Sequence, residues 1–227
     1  MQRRAFKLAF QKTLPIMAGF IFLAGTYGIY MHQNGFNFLY PTLMAATIFG
    51  GSVEFVIANL LLGKFDPWLV LFLTLIINSR HLFYGISMLD KYRGAGLKKI
   101  FLMFGMCDET FVLNYSIEVP NSVDRRAFMF YVTLLDYAYW VFGAFLGGVL
   151  GGLIPFKIPG IEFVMTALFL VLFANQFMNE KNHFSSIVGI IWAILALFVF
   201  GGQLFLVISM TLMVITLAIK FRREAAK

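Results

Sequence analysis

Eight apolar runs separated by short loops dominate the 227-residue sequence, near residues 14–31, 39–62, 68–89, 100–117, 127–153, 161–179, 184–200 and 203–219. Backbone polar groups find no water in hydrocarbon, so runs of this kind are restricted to helices that satisfy their own N–H and C=O groups. Only 13% of residues are charged and 60% are hydrophobic, against about 25% charged in a soluble domain. The chain therefore reads as an all-α polytopic membrane protein forming a single transmembrane domain over residues 1–227. The loops leave no room for a sizeable soluble domain. The net charge of +7 sits at the chain ends and in short loops, as membrane orientation requires, and gives no reason to expect nucleic acid.

Two of the runs echo one another. Phe49-Gly50 is followed by Glu54 and Asn59, and Phe104-Gly105 is followed by Glu109 and Asn114 at the same spacings. Both windows place flexible backbone and a carboxylate where a membrane helix should be smooth. A pair of interrupted apolar segments is the best sequence pointer to a transporter's binding site.

Length alone does not decide whether 39–62 and 100–117 cross. As straight helices they measure roughly 36 Å and 27 Å, and either would span a core of about 30 Å. Charge separates the possibilities. If all eight runs cross with the N-terminus inside, Lys and Arg divide 12 inside to 5 outside. If 39–62 and 100–117 dip in and return, only Lys64 and Lys157 lie outside and the division is 15 to 2. The second arrangement obeys the positive-inside rule better. It predicts six full transmembrane helices plus two broken or re-entrant helical hairpins, entering from opposite faces as a possible inverted repeat. Both termini are then cytoplasmic.

Non-helical backbone at membrane depth must be buried in protein or line a wet cavity. Gly50-Gly51-Ser52 and Gly105-Met106-Cys107 are thus expected to face each other or a pathway. If half-helices begin there, Ser52 and Asp108 fall at N-cap positions. Freed N–H groups and the positive dipole end would attract an anion such as a substrate carboxylate. Gly51, Ser52, Glu54, Cys107, Asp108 and Glu109 are the substrate-binding candidates on these segments.

The third run carries Asn78-Ser79-Arg80-His81 in apolar surroundings. An Arg at the centre of a membrane helix costs about 2.5–3.5 kcal/mol on insertion scales, which a buried carboxylate offsets. Glu54, Asp108, Glu109 and Asp136 are the available partners. The alternative is an ion pair that only locks helices together. Asn78 and Arg80 complete the substrate-binding candidates. Glu54, His81, Glu109 and Asp136 are the candidates for proton coupling, because intramembrane ionisable groups mark proton and substrate pathways. Asp136 either pairs with Arg80 or lies near enough to the inner face to be hydrated. His81 equally suits a neutral imidazole bonded to a carbonyl, and the carboxylates suit helix starts. Asn59 and Asn114 are expected to bridge helices. Gly143, Gly147, Gly148, Gly151 and Gly152 give the small-residue spacing of close helix contact, with a partner-subunit face as a further possibility. Cys107 is the single cysteine, which excludes an intrachain disulfide and a Cys-rich metal site. No cofactor is expected.

The order of these motifs resembles the AzlC-type branched-chain amino acid permease family. Asn78-Ser79-Arg80-His81-Leu82-Phe83-Tyr84-Gly85 is similar to its Asn-x-Arg-His-x-x-Tyr signature. Gly51-Ser52-Val53-Glu54-Phe55 resembles its Gly-Ser-x-Gln-Phe element, Asp108-Glu109-Thr110-Phe111 its Asp-Glu-Ser-Phe element, and Gly25-Thr26-Tyr27-Gly28 fits as well. The resemblance covers roughly residues 5–220. It implies export of leucine, isoleucine, valine and similar neutral amino acids across a bacterial inner membrane. It also implies a small AzlD-type membrane subunit as partner and coupling to the proton gradient. Glu54 departs from the family's usual Gln and places an ionisable group at that position.

Two other classes compete with a secondary transporter. Paired hairpins also build passive channels, but neither a Thr-Val-Gly-Tyr filter nor an Asn-Pro-Ala hairpin is present. Ser52 with His81 mimics a nucleophile and base, yet no oxyanion motif supports an intramembrane enzyme.

Overall fold

The computed structural model describes residues 2–64, 66–156, 158–161, 163–180 and 182–225. Lys157, one of the two cations expected outside, lies beyond the described residues. Among those described there are ten helices and no strands: α1 Gln2–Gln33, α2 Leu39–Thr47, α3 Gly51–Leu61, α4 Pro67–Ile77, α5 Ser79–Met88, α6 Lys98–Phe104, α7 Asp108–Ser116, α8 Arg125–Gly151, α9 Phe163–Asn179 and α10 Phe184–Ala225. The all-α expectation holds. Where six full spans were predicted, α1 and α8 are long and apolar enough to cross a bilayer unaided, and α4 with α5 makes a third if the bent pair counts as one span. The chain packs as two compact units, Met1–Met165 and Thr166–Lys227.

The first unit is built on α1 and α8, which run side by side in the same direction. Phe6 meets Tyr131, Thr13 lies 3.3 Å from the Tyr139 hydroxyl, Phe20 packs edge-on against Trp140 and Gly151 faces His32. Glycine makes this approach possible. A Cβ on Gly143 would come within 2.9 Å of Ala24, and one on Gly147 would strike the backbone of Gly25. Gly148 in turn faces Phe38 and Pro41. The glycine face is therefore filled from within the unit, which corrects its reading as a possible partner surface. α1 also begins well before its apolar run. Ala5, Ala9 and Thr13 are wholly buried, so the basic N-terminal stretch is a packed helix and not a loose end. His32 belongs to the last turn of α1.

Both doubtful segments are broken. In the first, α2 ends at Thr47 and α3 starts at Gly51, with Phe49 held at φ +46° between them, a left-handed conformation that a bulky residue seldom adopts. In the second, α6 ends at Phe104 and α7 starts at Asp108. Their contacts along α8 run in opposite senses. α2 starts with Phe38 on Phe145 and descends until Ala46 O accepts the Tyr137 hydroxyl at 2.9 Å. α3 returns, with Glu54 on Trp140, Phe55 on Tyr27 and Asn59 Oδ1 accepting the Tyr30 hydroxyl at 2.6 Å. From the other end, α6 rises from Lys98 and Phe101 on Phe130 to Phe104 on Tyr137. α7 then falls back past Asp136 and Thr133.

The two hairpins thus meet tip to tip. Phe49 and Phe104 have ring centroids 6.4 Å apart, and both pack on Tyr137. One apolar cluster (Phe20, Tyr27, Met31, Phe55, Trp140) holds the first hairpin and a second (Ala5, Met88, Tyr92, Leu102, Phe128) holds the other.

The third run also breaks, which the sequence reading did not foresee. α4 and α5 meet at Asn78 with a bend of 48°. Asp66 caps α4 by accepting from the Trp68 and Leu69 amides, and Asp124 caps α8 by accepting from Arg126 and Ala127.

In the second unit α10 doubles back on itself. Trp192 Nε1 donates to Thr216 Oγ1 at 3.0 Å, and Lys220 lies over the Phe184 ring. A straight helix would set residues 24 apart at roughly 36 Å. The paired positions centre on the stretch after Gly201-Gly202, so the runs 184–200 and 203–219 are two arms joined without a loop.

Candidate functional site

Three backbone breaks converge. A Cβ built on Gly50 would lie 3.4 Å from Asn78 Nδ2, so the Asn78 amide rests against the first break. Two residues on, Arg80 Nη1 pairs with Asp108 Oδ2 at 2.8 Å, the first residue of α7 after the second break. The Asn78–Arg80 bend therefore touches both hairpin tips. Of the four carboxylates available to Arg80, Asp108 is the one it takes. Glu109, next along the first turn of α7, is half-buried.

Glu54 is wholly buried and belongs to a different arrangement. Its Oε1 accepts the Gly50 amide at 2.9 Å, and both oxygens accept Trp140 Nε1 at 3.1 Å. Gly50, which has no side chain, is the N-cap of α3, and Cys107 is that of α7 and makes no side-chain capping bond. This corrects the expected caps: Ser52 and Asp108 sit inside their helices because each break ends earlier than predicted. The start of α3, read as a cradle for a substrate carboxylate, is already occupied by the protein's own carboxylate at Gly50. Ser52 is half-buried in that first turn, and Gly51 lets the Trp140 ring approach to where a Cβ would be only 2.8 Å away.

Asp136 does not pair with Arg80, and it lies inside the unit rather than at a surface. It is wholly buried, and its Oδ2 accepts the Thr110 hydroxyl at 2.8 Å. The Thr110 oxygen lies 3.2 Å from Cys107 Sγ, so thiol, hydroxyl and carboxylate form a chain from the break into α8. One turn along, Asn114 donates to the Tyr92 hydroxyl at 3.2 Å and faces Thr133. Asn59 and Asn114 do bridge helices. His81 Nδ1 lies 3.3 Å from Asn78 O, and its ring meets Tyr84 edge-on. Tyr84 stacks on Phe111 with centroids 4.4 Å apart. Among the described residues, Arg80 Nε, Asp108 Oδ1, Asn114 Oδ1 and Asp136 Oδ1 are buried without a hydrogen-bond partner. No cluster of three metal-ligating side chains occurs among them.

Sequence reasoning missed Trp140 and Thr110. A Trp deep in an apolar run needs an acceptor for its N–H, and that need is the signal by which Trp140 could have been found. Thr110 stood in the open, directly after Asp108-Glu109.

Broken helices that meet inside an apolar bundle, with charge and amide groups at the breaks, have the architecture of a membrane transport protein. The chain belongs to the AzlC family, whose family model, described as AzlC protein, matches residues 15–154. It is 55% identical over 206 residues to the branched-chain amino acid transport protein AzlC of Bacillus subtilis, covering 91% of this chain and 81% of that protein. An uncharacterized membrane protein of Haemophilus influenzae is 47% identical, covering 89% of this chain and 84% of its own length. The inner membrane protein YgaZ of Escherichia coli is 26% identical, covering 75% and 72%. No solved structure matches the chain at a significant level.

Proposed function

We propose that this chain is a secondary transporter subunit that exports branched-chain neutral amino acids from the bacterial cytoplasm across the inner membrane. The observation that carries the reading is the Arg80–Asp108 pair at the junction of three helix breaks, in a chain whose Bacillus subtilis relative is a branched-chain amino acid transport protein. Charge placed at membrane depth is costly and is retained where solute or protons pass. Phe49 and Phe104 at the tips supply apolar surface for a branched side chain.

In this reading the hairpins 39–62 and 100–117 enter from opposite faces as halves of an inverted repeat, flanked by six spans with both termini cytoplasmic. Their opposite senses along α8 support that topology. Glu54, Glu109, His81 and Asp136 are the groups proposed to carry the coupled proton. A small AzlD-type membrane subunit completes the transporter.

Cells loaded with a panel of neutral amino acids test the proposal. Expression of the chain with a co-expressed AzlD-type subunit is expected to speed efflux of leucine, isoleucine and valine. Arg80→Ala is expected to abolish the gain. Efflux indifferent to external pH would remove proton coupling, and no gain for any member of the panel would remove the transport assignment.

A further inference from the structure

We propose that the Arg80–Asp108 ion pair is itself the receptor for a zwitterion. The α-carboxylate of an amino acid takes the Arg80 guanidinium, its α-ammonium takes the Asp108 carboxylate, and one internal pair is exchanged for two. The inference rests on the transport reading above and goes further by fixing the chemical form that is recognised.

The pair is half used. Its contact joins Arg80 Nη1 to Asp108 Oδ2, while Arg80 Nε and Asp108 Oδ1 are left without partners. A guanidinium presents a planar fork that a carboxylate fills with two parallel bonds, so Arg80 has an unfilled edge. The pair is also within reach, with side chains 40% and 32% exposed. The wholly buried carboxylates near the tips each have a donor: Glu54 has Gly50 and Trp140, and Asp136 has Thr110.

Charge balance selects the ligand. A molecule carrying only a carboxylate would set two carboxylates against the one Arg80 guanidinium and leave a negative charge uncompensated. A molecule carrying only an ammonium would strand Arg80. Leaving a charge at membrane depth without its counter-charge is strongly unfavourable, and rejection through an unpaired group is the stronger form of specificity. A zwitterion leaves neither charge alone. One turn along both helices, four residues after Arg80 and three after Asp108, Tyr84 and Phe111 stack into an aromatic ledge. An apolar side chain attached between the two charges falls beside it, in keeping with the substrate class proposed above.

Competition in counterflow tests this. Membrane vesicles from cells expressing the chain with an AzlD-type subunit are preloaded with leucine or valine, and uptake of labelled leucine is measured. The competitors are leucine, 4-methylpentanoate (carboxylate only) and 3-methylbutylamine (ammonium only). Each singly charged analogue is expected to compete roughly a hundredfold or more weakly than leucine. In Asp108→Asn the ammonium loses its charged partner and Arg80 is freed, so the preference for leucine over 4-methylpentanoate is expected to shrink at least tenfold. A pair that only braces helices would leave that ratio unchanged. Analogues that compete as well as leucine, or an unchanged ratio in folded Asp108→Asn, overturn the inference while transport stands. If the variant is not recovered folded, the wild-type competition decides. Absence of any leucine or valine counterflow removes the transport reading and this inference with it.

Discussion

Glu54 shows how one side chain reconciles burial with charge. Its carboxylate receives an indole N–H from α8 and an amide from its own helix break, so a single group closes the first hairpin and anchors it to the scaffold. Glu54→Ala would orphan both donors, at about 1–3 kcal/mol for each unsatisfied group. Thermal unfolding in detergent is expected to fall by several degrees. Trp140→Phe leaves the carboxylate with the Gly50 amide alone, and the double variant should cost less than the sum of the two, since the groups act as a unit. A strictly additive pair would show that the contact carries no coupling. Arg80 illustrates what a sequence can and cannot say at this scale. An Arg within an apolar membrane run demanded a carboxylate, and Asp108 was among four named. Choosing among them needed the fold of α7 back along α8, because distance along the chain does not report which face of a returning helix meets α5.

At the level of elements, glycine announced the breaks. Phe49-Gly50 and Phe104-Gly105 interrupt apolar runs, and both runs are interrupted there in the structure. The bend at Asn78 was hidden because Asn78-Ser79 carries neither glycine nor proline. Its cause is tertiary: Asn78 rests on the first hairpin and Arg80 is drawn to the second. The packed start of α1 was hidden as well, since its alanines are unremarkable among basic residues until α8 is set against them. The α1–α8 seam depends on missing side chains. Gly147→Leu would drive atoms into the Gly25 backbone, which has no freedom to yield, and is expected to abolish recovery of monodisperse protein. Gly19→Ala on α1 meets nothing within 4 Å and should be neutral. The N-cap of α8 is a smaller matter. Asp124→Ala releases two amide donors and is expected to cost about 1 kcal/mol, read as a modest loss of thermal stability with transport retained.

For the whole molecule, the decisive property is sidedness, and it follows from charge. A re-entrant pair returns the chain to the face it left, so the loops flanking each hairpin share a side. Asn34 and Lys64 flank the first, and Arg93 and Asn121 flank the second. In a Cys107→Ser background, single cysteines at these four positions are expected to separate into two classes with a membrane-impermeant thiol reagent. Positions 34 and 64 should react from outside, and 93 and 121 only after the membrane is opened. If all eight runs crossed, 34 and 64 would fall on opposite sides, and so would 93 and 121. The two topologies differ by 15 to 2 against 12 to 5 in the division of cations. The rule that cations stay inside and the opposite senses of the two hairpins along α8 point to the same side for each pair. Labelling at position 64 from the cytoplasmic face alone would overturn both at once, because a chain that crossed through 39–62 could not bring α2 and α3 back past the same stretch of α8.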